Sequence, residues 1–121
     1  MATKKAVLLG EELVGAVVGE LEGKLAENIV VIDLRGVFGA AADWFVICQG
    51  DNTSHTTAIA EGVIAALKAK SGTKPWHHEG LEAGRWALID YTDVVVHVML
   101  PDVRSYYNLE SLWRNGGEAV S

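Results

Sequence analysis

An α/β domain of the α+β type, with a mixed β-sheet flanked by helices, is the fold this sequence predicts. Two helical segments are interspersed with β-branched runs. The last two strands are joined so tightly that they must form an antiparallel hairpin. The chain has 121 residues, 50% of them hydrophobic, which fits one core and one domain spanning 1–121.

The first helix is predicted over residues 7–27, where Val14, Val17, Val18, Leu21 and Leu25 fall at helical spacing. Gly15, Gly19 and Gly23 recur every four residues, each costing about 1 kcal/mol against Ala, so this helix is weak or close-packed. Glu11, Glu12, Glu20 and Lys24 exclude a membrane dimer stripe. Residues 29–34 read as a strand covered on both faces, and residues 44–48 as a second, ending at Gly50. Asp51, Asn52, Thr53 and Ser54 are helix-capping types. The helix they open runs to about Lys70, with Ile59, Val63, Ile64 and Leu67 as its apolar stripe and Gly72 at C′. Residues 73–75 are a loop, and His77, His78 and Glu79 read as a polar loop. Residues 85–91 alternate, with Trp86, Leu88 and Asp90 on one face and Ala87, Ile89 and Tyr91 on the other. Thr92 links them to a strand over 93–100. Pro101 opens a short helix in which Tyr106, Leu109 and Trp113 share a helical spacing. Gly116 and Gly117 stop it, leaving 116–121 as an expected flexible tail.

The formal charge is -6, and the ten basic residues are scattered from Lys4 to Arg114. That argues against affinity through phosphate neutralisation and direct nucleic-acid readout, and favours a basic protein partner. Cys48 is the single cysteine, so a reduced, cytoplasmic chain is expected. No apolar run approaches the ~20 residues of a bilayer span, and no signal peptide is evident.

Candidate chemistry is thin. His77, His78 and Glu79, with His55 and His97, would hold a metal only if the fold converged them. Cys48 with His55 or His97 would be a nucleophile only if the thiol were accessible. Asp90 and Asp93 flank a turn, where Asp serves the backbone. No glycine-rich phosphate loop occurs. No catalytic residue, metal or cofactor is therefore expected. The aromatics are more informative: Trp86 shares a strand face with Asp90, and Tyr106, Tyr107 and Trp113 crowd the C-terminal region. They either complete the core or form an exposed patch for a partner.

The stretch from Ala42 to Gly50 resembles the D-[YF]-F-V-I-x-x-G signature of the ribosomal silencing factor, or Iojap-like, family. The likeness continues through His55, Ala58 to Ala60, Glu79 and Gly80, Trp86, Leu88, Asp90 and Tyr91, and Asp93 to Met99. It ends with Arg104, Tyr107, Leu109, Glu110, Leu112 and Trp113. The resemblance implies a nucleotidyltransferase-like fold without catalytic residues. It implies binding to the large ribosomal subunit through its fourteenth protein, at the face that meets the small subunit. Steric blockage of subunit joining then represses translation, notably when nutrients are short. The implied partner-binding residues are Trp86, Tyr107, Leu109 and Glu110, with Met99 and Trp113 beside them; Glu110 would meet a Lys or Arg of the partner. Two alternatives are a divergent nucleotidyltransferase-like enzyme, with Asp90, Asp93 and Glu79 as its acidic group, and a large-subunit assembly factor. A free protein could pair its patch with a second copy as a homodimer. Three positions depart from the family pattern: Ser54 where Arg is common, Thr92 where Gly is common, and Trp44 for Tyr.

Overall fold

Helices α1 (Gly10–Gly23) and α2 (Thr53–Ser71) lie on one face of a five-stranded sheet. The computed structural model describes residues 7–111. The strands are β1 (Glu27–Asp33), β2 (Trp44–Gln49), β3 (His77–Glu79), β4 (Trp86–Asp90) and β5 (Val94–Met99), in the order β1-β2-β5-β4-β3. β2 and β5 pair in parallel and the other pairs are antiparallel, so the sheet is mixed, as expected. Helix α3 (Pro101–Tyr107) follows β5 directly.

Strand alternation separates two cores. On the helix-covered face, Leu13, Val17 and Leu21 of α1 and Ile59, Val63 and Leu67 of α2 meet Val46, Cys48, Ala87, Ile89, Val94, Val96 and Val98. On the other, Phe45, Ile47, Val95 and Met99 meet Ile32, Leu34, Ala42 and Val103. Only the segment 34–42 and α3 cover this second face among the described elements, and Trp86 and Leu88 stay half-buried at its margin.

Helix α2 is capped as its sequence predicts. Asn52 Oδ1 accepts from the His55 amide at 2.9 Å, and Gly72 adopts φ 73° at the C-cap. Helix α1 is shorter than its periodicity, because the chain turns left-handed at Leu25 (φ 62°) and Asn28 (φ 52°). Leu25 is therefore exposed, and Leu13 takes its place in the buried stripe. A methyl group added at Gly15, Gly19 or Gly23 would meet nothing within 4 Å, so these glycines face solvent and pack against nothing. The first amide of α1, at Gly10, is capped from a distance by Asp93 Oδ2 at 2.7 Å.

Two strand expectations need correction. β1 is an edge strand, paired to β2 alone, and Val31 and Asp33 are exposed. Its β-branched run reads as doubly covered but only one face is. Residues 77–79 are a strand, not a loop: β3 adds to β4 at the opposite edge, a pairing that three polar residues do not announce. Helix α3 also stops early. Asn108 adopts φ 49°, so Tyr106 and Leu109 do not lie on one continuous helical stripe. Trp113 and the 116–121 tail lie outside the described residues.

Candidate functional site

The margin of the second face gathers the aromatic residues. Trp86 opens β4 and lies diagonally from His97 of β5, since Trp86 pairs with Met99 and Leu88 with His97. The Trp86 indole N–H donates to His97 Nδ1 at 3.0 Å. His97 is buried, with its ring 4.7 Å from that of Phe45. Because Nδ1 is the acceptor, its proton sits on Nε2, which is enclosed without a hydrogen-bond partner. Burial pushes this imidazole down to about 4, against an opposing pull from Asp90. His97 is therefore a neutral acceptor that holds the Trp86 ring.

Tyr107, at the end of α3, stacks on Trp86 with ring centroids 4.9 Å apart, and Tyr106 leans edge-on against Tyr107 at 5.0 Å. Tyr107 is 53% exposed and Tyr106 81%. The structure thus leaves both anchors accessible, Trp86 in part and Tyr107 by half. Leu109 is half-buried on the second core beside them.

Two expected contact residues stand differently. Met99 is completely enclosed, so its side chain supports Trp86 from below and reaches no surface. Glu110 is already paired within the chain: its carboxylate accepts from Arg104 Nε at 3.1 Å and Nη2 at 2.9 Å. Arg104 is itself buried and also donates to Gln49 Oε1 at 3.2 Å. This clamp closes around the Asn108 turn and fixes Tyr107 and Leu109. Sequence reasoning missed Arg104 and His97 as organisers of the site; the strand alternation that puts His97 on the Trp86 face was the available signal.

The catalytic candidates are dispersed. Cys48 points into the helix-covered core and His97 into the other, so they cannot pair. Burial also pushes the Cys48 thiol up to about 12. His55 spends both ring nitrogens on backbone, accepting from Asp51 N at 3.0 Å and donating to Lys24 O at 3.1 Å. Asp90 Oδ1 accepts from Thr92 N at 2.7 Å, Asp93 caps α1, and Glu79 accepts from His77. Among the described residues no three His, Cys, Asp or Glu side chains gather where a metal could bind, so Glu79, Asp90 and Asp93 form no acidic group. No helix among the described residues is long and apolar enough to cross a membrane.

The profile of the family described as "Ribosomal silencing factor during starvation" matches residues 10–120. A protein of Halalkalibacterium halodurans named Ribosomal silencing factor RsfS is 40% identical over 103 residues, covering 85% of this chain and 86% of that protein. A mouse protein named Mitochondrial assembly of ribosomal large subunit protein 1 is 37% identical over 73 residues, covering 59% of this chain and 32% of its own. A crystal structure from Chromobacterium violaceum superposes with a TM-score of 0.82 at 34% identity, covering 88% of this chain and 87% of that one.

Proposed function

This chain belongs to the ribosomal silencing factor family, and from that membership we propose that it binds the large ribosomal subunit and blocks joining of the small subunit. The partner is the subunit's fourteenth protein, at the face where the two subunits meet. Occupancy alone suffices; the action needs no catalytic step, cofactor or metal, and takes place in the cytoplasm. The whole chain acts as one domain.

The observation that carries this reading is the Trp86–Tyr107 stack, two large rings held rigidly yet left accessible on the thinly covered sheet face. Aromatic anchors of this kind dominate protein interfaces, and an acidic chain approaches a basic ribosomal protein favourably. Leu109 extends the apolar contact, and Trp113 continues it. The same face is open to a second copy when the protein is free.

The test is co-sedimentation with isolated large subunits, followed by a joining assay with small subunits. Saturating protein lowers the yield of joined ribosomes; unchanged joining overturns the proposal. Trp86→Ala and Tyr107→Ala each weaken binding by about 2 kcal/mol while the fold survives. A second reading, action during large-subunit assembly, takes its support from the name of the mouse relative. Inhibition of joining between mature subunits favours the first reading over it.

A further inference from the structure

A cleft of about 300 Å³ opens beside Trp86, lined by Glu79, Gly80, Trp86 and Leu88. The pairing of β3 with β4 builds it. Glu79 sits directly opposite Leu88, and Trp86 lies two residues before Leu88 on the same face. Gly80 forms the closed end. It has φ +76°, and a Cβ there would overlap the Trp86 carbonyl oxygen. Only glycine lets the chain pass so near β4.

The walls are apolar and the rim carries one carboxylate. Glu79 Oε2 accepts from His77 Nε2 at 2.8 Å, and its side chain remains 67% exposed. No Lys or Arg lines the cleft among the described residues. Glu110, the other acidic residue of the site, is occupied by Arg104. The free negative charge beside the aromatic anchor therefore belongs to Glu79.

We infer that this cleft takes one lysine or arginine side chain of the docking protein, with its alkyl stem against Trp86 and Leu88 and its cationic head on Glu79. The inference rests on the large-subunit reading above and names the chemistry of the contact. A long amphipathic side chain matches an apolar slot that ends in a carboxylate, and a cation beside an indole gains from the ring as well. A purely apolar side chain would cover Glu79 without pairing it, which costs more than the burial returns.

Three variants on the intact protein test it, with isolated large subunits as the probe. Glu79→Gln keeps the shape and removes the charge, Glu79→Lys reverses it, and Trp86→Ala removes the wall. Glu79 is an exposed edge residue, so both of its variants should melt as the parent does. Affinity is expected to fall about tenfold for Glu79→Gln and further for Glu79→Lys, with the differences shrinking as salt rises. If both Glu79 variants bind like the parent while Trp86→Ala weakens binding, the cation contact is overturned and the large-subunit reading stands. If Glu79→Lys binds better than Glu79→Gln, the sign of the charge is wrong and the contact is likewise overturned. If the parent fails to bind large subunits, both readings fall together.

Discussion

Acid titration of His97 tests how the site is held together. In the folded protein the imidazole lies near 4, because burial disfavours its charged form, while the unfolded chain carries it at its ordinary 6.5. Geometry points the same way: a second proton must go on Nδ1, where it would oppose the Trp86 indole N–H. Between pH 6.5 and 4 the unfolded state binds a proton that the folded state refuses, so stability falls as pH falls through that window and levels off below it. A gap of roughly 2.5 units amounts to about 3 kcal/mol in full, of which about 2.5 kcal/mol is lost by pH 4.5. Urea unfolding of the parent and of His97→Gln at pH 7.5 and 4.5 isolates this share, since the surface carboxylates titrate alike in both. The parent should lose about 2.5 kcal/mol more than the variant across that interval. Parallel losses in the two proteins, or an imidazole NMR titration centred near 6.5, would refute the buried-acceptor account.

Gly19→Ala should raise stability by about 1 kcal/mol, because the position is helical and faces solvent; a lower melting temperature would mean that the glycine face touches something. Thr92 sits at φ 82°, a left-handed conformation that a β-branched residue resists. Thr92→Gly should therefore stabilise the β4–β5 hairpin by about 1 kcal/mol in denaturant titration. Cys48 should resist thiol reagents in the native protein and react at once in denaturant, since its thiol is buried and held protonated; rapid native labelling contradicts this. Glu110→Ala leaves the buried Arg104 guanidinium without its main partner and should cost about 3 kcal/mol of stability, measured by the unfolding midpoint. A cost near zero would show that the clamp contributes little.

Much of the fold is legible because its signals are local. The Asn52 cap, the Gly72 stop, the alternation of β4 and the tight turn at Thr92 are each decided within a few residues. The pairing of Trp86 with Tyr107 also follows from strand face and chain proximity. What escapes is set by long-range geometry. The β-branched residues of β1 suit an edge as well as a centre, so composition could not reveal its exposed face. β3 is three polar residues that become a strand only because β4 offers a free edge. Glu110 looks like a free charge until the left-handed turn at Asn108 folds it back onto Arg104. Met99 carries the same apolar character as its neighbours, and only the register beneath Trp86 shows that it is sealed.

The position of the site follows from unequal cover of the two sheet faces. Helix α2, at 19 residues, and α1, at 14, span the first face. The second receives the segment 34–42 over the β1–β2 half and α3 near the middle. Helix α3 has seven residues, hence a length of about 10 Å. Neighbouring strands are about 4.8 Å apart, so such a helix covers roughly two of them. Starting at the end of β5, it reaches Trp86 with its last ring, Tyr107, and no further. Leu88 and the cleft against β3 therefore stay uncovered by any described element. The bare patch is a consequence of helix length and strand order, and Trp86 occupies it without creating it. Trp86→Ala should then abolish anchoring yet leave the cleft and the Arg104–Glu110 clamp in place, which a crystal structure of the variant can verify.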